Sequence, residues 1–160
     1  MRRLALAALA GLLGGVLISG IAVWTLLPSM MLSVHPSRFP FTETVATLQE
    51  TAAARGWAVP KVYNIQKSLQ NAGFADMTPV QILSICQPAE AHRILREDRN
   101  KRVTAVMPCR IGVYEAADGR TYVASMNIGL LGRMFGGTVA EVMGKVAEDE
   151  AQILASVVEP

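Results

Sequence analysis

The N-terminus contains one long stretch without a charged side chain. It runs from Leu4 to Leu27, directly after Arg2 and Arg3. A helix rises about 1.5 Å per residue, so these 24 residues span about 36 Å, enough to cross a bilayer with some tilt. A signal peptide has a shorter apolar core and a small-x-small cleavage site. Gly20-Ile21-Ala22 is a weak site of that kind, and the apolar run continues past it. The sequence therefore predicts an uncleaved membrane anchor.

The charges that flank residues 1–27 predict the orientation of this anchor. Arg2 and Arg3 favour a cytoplasmic N-terminus, and the first positive charge beyond the span is Arg38. Positive side chains close to a span are retained on the cytoplasmic side. We therefore expect a single-pass protein of the cell inner membrane whose C-terminal domain lies in the periplasm.

Small residues recur every fourth position along the anchor, at Ala7, Gly11, Gly15 and Ser19. This spacing forms a small-xxx-small strip on one helix face, which lets two helices approach closely. The strip predicts that the anchor packs against other membrane-protein subunits or against its own copy. Alanine and glycine are also common in anchors, so chance is the alternative explanation.

The rest of the chain has room for one modest domain. Pro28, Pro36 and Pro40 divide residues 28–41, which predicts a juxtamembrane linker or an extended first strand. Residues 42–160 then form the domain. Helical spacing, capping residues and turn signals predict the following order. Helices cover 42–55, 65–72, 88–96, 128–135 and 139–158, and strands cover 57–63 and 78–85, with a hairpin over 103–126.

The hairpin is the strongest local signal. An apolar, β-branched run from Val103 is followed by a turn at Asp118-Gly119 and a second alternating run to Met126. Helices interleaved with a hairpin and single strands indicate an α+β fold, with a small mostly antiparallel sheet covered on one face by helices. Thr138 and Glu141 have the spacing of a capping box for the last helix.

Composition and motifs exclude several function classes. The net charge is +2, from 15 basic and 13 acidic residues. No basic stripe with interleaved aromatic residues is present, so a nucleic-acid partner is not expected. The arginine-rich stretch from Arg93 to Arg102 contains acidic residues and is interpreted as a solvated helix end and loop. The sequence has no Cys-x-x-Cys, His-Glu-x-x-His or Gly-x-Ser-x-Gly motif, so an enzyme is less favoured than a binding protein.

Five residues remain as metal or redox candidates: Cys86, Cys109, His92, Met107 and Met126. Cys86 precedes a predicted helix N-terminus, whose partial positive charge lowers a thiol pKa and favours a reactive thiolate. Pro108 cannot donate a ladder hydrogen bond, which predicts that Cys109 lies at a sheet edge or a bulge. His92 lies on the helix that begins after Cys86. Its side chain points either toward the cysteines or away from them.

Three interpretations of the two cysteines stay open. The first is a structural disulfide between Cys86 and Cys109, which an oxidising compartment permits. The second is a pair of unbridged, buried thiols that act only as small apolar side chains. The third is a functional thiol or soft-metal site with Met107 or Met126 as thioether ligands. Such ligands favour copper(I), so the cofactor is copper or none.

The sequence also resembles the family called domain of unknown function 302, over about Phe41 to Val157. The resemblance rests on four segments, with Gln87 at a position where the family usually has asparagine. These are Arg55-Gly56-Trp57, Cys86-Gln87-Pro88, Met107-Pro108-Cys109-Arg110-Ile111-Gly112-Val113-Tyr114, and Asp118-Gly119 followed by Ser125-Met126-Asn127. It implies a compact α+β fold that is often dimeric, and a redox or sulfur-related role by association.

Two functional hypotheses follow. The first is a membrane-anchored periplasmic accessory or binding subunit of a larger membrane complex, such as a redox or respiratory one, without catalysis of its own. The second is a thiol or copper site in sulfur or redox handling, centred on Cys86 and Cys109. A hydrolase or transferase is disfavoured because no base, nucleophile and orienting group can be assembled from the sequence.

Overall fold

The chain begins with one long helix, α1 (Arg2–Met31). The computed structural model describes the backbone of residues 2–159 and the side chains of residues 11–159. The segment Gly11–Met31 is 21 residues long with a mean hydropathy of 1.8, and none of it is buried in protein. By length and composition it suits a membrane span, although a signal sequence has the same features. Pro28 lies inside α1, and the helix passes the predicted end at Leu27.

The residues from Leu32 onward form a separate compact unit. Its elements, in chain order, are β1 (Leu32–Pro36), α2 (Phe41–Ala54), β2 (Ala58–Asn64), α3 (Ile65–Asn71), β3 (Val80–Cys86), α4 (Pro88–Leu95), a 3₁₀ segment (Asp98–Val106), β4 (Cys109–Glu115), β5 (Thr121–Met126), α5 (Ile128–Phe135) and α6 (Gly137–Leu154).

The five strands form one antiparallel sheet in the order β1-β5-β4-β3-β2. Leu83 of β3 pairs with Ile111 of β4, and Val113 pairs with Val123 of β5. These four side chains are buried. Because directly paired residues share a sheet face, they form the apolar face of the core, to which α2, α4, α5 and α6 also contribute buried residues. This confirms the predicted α+β fold.

The 28–41 stretch was expected to be a linker or a first strand, and the structure contains the strand: β1 pairs with β5 and forms an edge strand of the sheet. Two other local predictions need correction. The stretch after α4 was expected to be a loop up to Arg102 and the first run of the hairpin from Val103. It is instead a nine-residue 3₁₀ segment, Asp98–Val106, with Val103 fully buried, and the hairpin strand begins only at Cys109. The capping box is also wrong, since α6 has Gly136 at its N-cap and no side-chain cap.

Glycine permits the sharp connection between the last two helices. Gly136 and Gly137 have φ values of +70° and +53°, in the left-handed region that other residues rarely adopt. In α5 itself, a Cβ on Gly132 would lie 2.5 Å from Cβ of Met143. The absence of a side chain at position 132 therefore lets α5 pack closely against α6.

Candidate functional site

A cavity lies at one end of the sheet. Cys86 is the last residue of β3, Cys109 is the first of β4, and Met126 is the last of β5. Because these strands are antiparallel neighbours, their named ends meet at the same end of the sheet. The cavity at this end has a volume of about 160 Å³.

Most of the cavity wall is apolar. It is built from strand ends, from α4, α5 and α6, and from the end of the 3₁₀ segment. The aliphatic and aromatic lining residues are Trp57, Ile85, Ala91, Ile94, Ala105, Val106, Pro108, Ile128, Leu131, Val142 and Val146. Gln87, Glu90 and Arg110 add polar groups.

Sulfur is the distinctive element of this wall. Cys86, Cys109, Met107, Met126 and Met143 all line the cavity. The structure thus gathers four of the five sequence candidates around one space. Sequence reasoning placed Met143 only in the apolar stripe of the last helix and did not identify it as part of the site.

His92 is the candidate that the structure does not bring to the cavity. It lies on α4, is exposed, and is not among the lining residues. On the same helix, Glu90 and Ala91 take part in the wall instead.

The two cysteines are not bridged. Both are free thiols and both are half-buried. Cys109 pairs across the ladder with Ile85, whereas Cys86 pairs with Ala58 of β2. The disulfide interpretation is therefore wrong. The expected position of Cys109 at an edge or bulge is also wrong, because β4 lies between β3 and β5 inside the sheet.

Both thiols are held in the protonated form. Burial raises the pKa of Cys86. Burial, the Glu150 carboxylate and Cys86 together raise the pKa of Cys109 to about 12. The expectation that a helix N-terminus would lower the pKa of Cys86 is wrong, since loss of solvation has the larger effect. At neutral pH the cavity presents S–H groups rather than thiolates.

Gln87 caps the N-terminus of α4. Its side-chain Oε1 accepts hydrogen bonds from the backbone N–H of Ala89 at 2.7 Å and of Glu90 at 3.2 Å. Pro88 occupies the first helical position, where its missing N–H is not needed. The longer amide at this position therefore still caps the helix that follows Cys86.

An ion pair between the buried Glu90 carboxylate and the exposed Lys145 ammonium group joins α4 to α6. Lys145 Nζ donates to Glu90 Oε1 at 2.5 Å, and Arg93 lies 3.8 Å from Glu90 Oε2. Glu90 is 8% exposed. This pair connects the helix that carries one cavity wall to the helix that carries another.

Glu150 is a functional candidate that sequence reasoning missed. It is 3% exposed, and neither carboxylate oxygen has a hydrogen-bond partner of ordinary geometry. Burial raises its pKa to about 8, and the nearby Ser125 hydroxyl offsets a smaller part of that shift. The available signal was its position: with Met143, Val146 and Ile153 it lies on the buried stripe of α6.

Sulfur atoms are the most numerous candidate metal ligands in this cavity wall. Within residues 11–159, no group of three or more His, Cys, Asp or Glu side chains is placed to hold an ion. The two thiols and three thioethers of the cavity suit copper(I) by their chemistry. Because both thiols are protonated, binding of copper would have to release protons.

The family follows from a direct comparison. A model of the family described as "Domain of unknown function DUF302" matches residues 33–159. The chain belongs to the DUF302 family. The matched range of this DUF302 protein begins within β1. The resemblance noted in the sequence began only at about Phe41 and so did not include this strand.

A solved DUF302 structure has the same fold. It is the crystal structure of an uncharacterized conserved protein from Bacillus stearothermophilus, with a TM-score of 0.70 and 26% sequence identity. The similarity covers 79% of this chain and 98% of that chain. Among curated proteins, none matches this DUF302 protein.

Proposed function

We propose that this DUF302 protein is a membrane-anchored periplasmic accessory or binding subunit of a larger membrane complex, such as a redox or respiratory one. It performs no catalysis of its own, and the cavity at the end of strands β3, β4 and β5 is its binding site. The cavity carries this proposal, because it is a concave, largely apolar space of the kind that holds small molecules. Its polar groups Gln87 and Glu90 are engaged in a helix cap and an ion pair.

The anchor supports the membrane part of the proposal. Gly11–Met31 is apolar and exposed along its length. Arg2 and Arg3 favour a cytoplasmic N-terminus by the positive-inside rule. This orientation places the DUF302 domain on the periplasmic side of the inner membrane.

Fractionation of the producing cells tests anchoring. The full chain should stay in the membrane pellet after alkaline carbonate extraction, and intact-mass analysis should find residues 1–27 still attached. Protease added to spheroplasts should degrade the DUF302 domain. A released protein that lacks the first 20 or so residues would instead identify a cleaved signal peptide and refute the anchor.

Purification from native membranes in mild detergent tests the accessory-subunit part. A defined second polypeptide should co-purify with the wild-type chain. Gly11, Gly15 and Ser19 are exposed on α1, while the side chain of Ala7 lies outside the described residues. Gly15→Leu should release the partner, and Val16→Leu is the matched control one position away. Migration of the wild type as a lone monomer contradicts this part.

A thiol or copper site in sulfur or redox handling is the second candidate, because Cys86, Cys109, Met107 and Met126 line the same cavity. Copper(I) titration against a chromophoric chelator tests it. Cys86→Ser and Cys109→Ser should each weaken binding, whereas Met134→Leu should not, because Met134 is 73% exposed and outside the cavity. Equal copper affinity in all four proteins refutes this candidate.

A further inference from the structure

The chain leaves its long apolar helix at the same end of the sheet that holds the cavity. α1 ends at Met31, and β1 begins at the next residue, Leu32. Leu32 pairs with Met126 of β5, and Met126 lines the cavity. Consecutive Cα atoms are about 3.8 Å apart and paired Cα atoms of antiparallel strands about 4.5–5.5 Å. The Cα of Met126 is therefore within about 10 Å of the last Cα of α1, whatever direction that helix takes.

The cavity opens close to this point. Exposed residues in its wall include Ala105, Arg110 and Met126, and a residue that is both exposed and part of the wall borders the opening. Arg110 and Met126 each lie one residue outside the Ile111–Ser125 pair of β4 and β5, so they are neighbours in the sheet. The opening is therefore beside the residue with which Leu32 pairs.

One row of side chains crosses the sheet at this end, on the face opposite the core. Successive residues of a strand point to opposite faces, and the core residues Leu83 and Ile111 are one position away from the row in β3 and β4. By the pairing register, the row consists of Leu32, Met126, Arg110, Ser84 and Lys61. It joins the first residue after α1 to the opening of the cavity.

The row combines apolar and basic side chains, and it has no acidic one. Leu32 is 57% exposed and Met126 is 38% exposed. Arg110 and Lys61 are exposed as well, and Ser84 between them is buried. Apolar side chains beside cations are suited to the headgroup layer of a bilayer, where the apolar groups meet the acyl boundary and the long basic side chains extend toward phosphates.

The length of α1 agrees with that depth. From Arg3 to Met31 the helix rises about 42 Å, and a bilayer with both headgroup layers is about 40–45 Å thick. An anchor that starts with Arg3 at the cytoplasmic surface thus reaches the outer headgroup layer at Met31, and tilt brings this end deeper. Leu32 and the row that it begins would then lie at the same level.

We propose that the cavity takes up the apolar end of a lipid-soluble molecule directly from the bilayer, through the opening beside Met126. An uncharged, ring-sized group of this molecule fills the cavity, and the rest of it remains in the lipid. This inference rests on the proposed anchor and binding function, and it names the source and the class of the ligand for the same site. A water-soluble molecule with a similar ring is the competing source that the experiments separate.

The volume and the wall of the cavity determine which group enters. Its volume of about 160 Å³ is close to the roughly 150 Å³ apolar cavity that stays dry and admits a benzene ring. Among the polar side chains of the wall, Gln87 caps α4 and Glu90 is paired with Lys145. A charged or sugar-like group would lose its hydration there without gaining a partner. An apolar ring has no such cost.

The first experiment measures the depth of Met126 in the bilayer. The full chain, labelled with 13C at its methionine methyl groups, is placed in nanodiscs of phosphatidylcholine and phosphatidylglycerol with a lipid that carries a nitroxide on its headgroup. The Met126 signal should broaden strongly. Met77 is the internal control, because it precedes the far end of β3, which is about 20 Å from Cys86 along the strand, and its signal should broaden far less. Equal broadening of both signals, or of neither, overturns the placement of the opening.

The second experiment supplies one ring from two sources. The alkyl chain of 1-phenyldodecane confines it to the bilayer, whereas benzene also dissolves in water. Both should shift the signals of Met107, Met126 and Met143 in the nanodiscs and leave Met77 unchanged. Met143 is 5% exposed, so its shift reports entry into the cavity rather than contact with lipid. If only benzene shifts these signals, the binding function stands and uptake from the bilayer is overturned. If neither compound does, the binding function itself is refuted.

Substitution of Leu32 tests the bilayer contact without altering the cavity wall, since Leu32 lies outside it. Leu32→Glu brings a carboxylate to anionic headgroups and should weaken the binding of 1-phenyldodecane about fivefold, because its alkyl chain must leave the lipid to reach a displaced opening. Benzene should bind this variant as it binds the wild type. Leu32→Lys is the matched control and should retain 1-phenyldodecane, since its ammonium group extends to the phosphates. Equal affinity of both variants for 1-phenyldodecane overturns the contact between this row and the bilayer.

Discussion

Gly132 of α5 and Met143 of α6 are so close that a Cβ on Gly132 would lie 2.5 Å from Cβ of Met143. Met143 is buried and also lines the cavity. The distance between α5 and α6 therefore determines where the Met143 side chain lies in the cavity wall. The nearest atom is Cβ of Met143, which cannot move by a change of rotamer, so the contact has little freedom to adjust.

Substitution of Gly132 by alanine should therefore destabilise the domain. The new methyl group would force α5 away from α6, and overpacking of this kind costs about 1–3 kcal/mol, more than the helix propensity gained by alanine. Thermal unfolding of the full chain measures the change. Gly144→Ala on α6 is the matched control, since a Cβ there meets nothing within 4 Å. Equal stability of both variants would contradict the close contact.

The cap at Gln87 gives a second prediction. Gln87→Ala should lower the free energy of unfolding by about 1 kcal/mol, because the two backbone N–H groups of α4 that it caps lose their acceptor. Gln87→Asn should retain most of the stability, since asparagine is a preferred N-cap residue. Denaturant unfolding at pH 7 measures both. If the asparagine variant unfolds as readily as the alanine variant, the longer glutamine side chain has a role beyond capping.

How far the sequence predicts this fold depends on whether the signal is local. The Asp118-Gly119 turn and the helix Ile128–Phe135 follow from neighbouring residues, and the structure places a turn and a helix there. The strand Leu32–Pro36 was harder, because it becomes a strand only through pairing with β5, some ninety residues later. The three prolines of residues 28–41 alone permit a linker or an edge strand equally well.

The site was predictable in position but not in chemistry. Strand ends that carry Cys86, Cys109 and Met126 could be placed together from the hairpin and the strand before it. The protonation state could not, because the pKa of a thiol depends on how much water the helices exclude. The burial of Glu150 could not be predicted for a related reason. A glutamate in a helix is expected to be exposed unless the orientation of that helix is known.

The raised thiol pKa values predict slow and unequal reactivity. At pH 8, Cys86 should react with an aromatic disulfide reagent before Cys109, because the Cys109 thiol with a pKa of about 12 has almost no thiolate. Cys86→Ser should remove the faster phase and Cys109→Ser the slower one. In denaturant both thiols should react at one rate, as the control. Rapid reaction of Cys109 in the folded chain would mean that solvent reaches its thiol, and it would contradict the raised pKa.

Glu150 predicts that the domain loses stability as pH rises. Its folded-state pKa of about 8 is above the ordinary value of 4.5, so between these values the folded chain holds a proton that the unfolded chain has released. Stability is then full below about pH 4.5, falls as pH rises toward 8, and levels above it. Glu150→Gln cannot ionise and should lose this decline, so its melting temperature should exceed the wild-type value by more at pH 9 than at pH 5.

The matched control for that measurement is Glu148→Gln. Glu148 is exposed on the same helix, so this variant removes one negative charge without removing the buried carboxyl. It should follow the wild-type pH dependence. If both variants flatten the curve equally, the decline comes from the net charge of the domain rather than from burial of Glu150. A curve that flattens only in Glu150→Gln identifies one carboxyl as the source, and it does so without any ligand, so the result is independent of what the cavity binds.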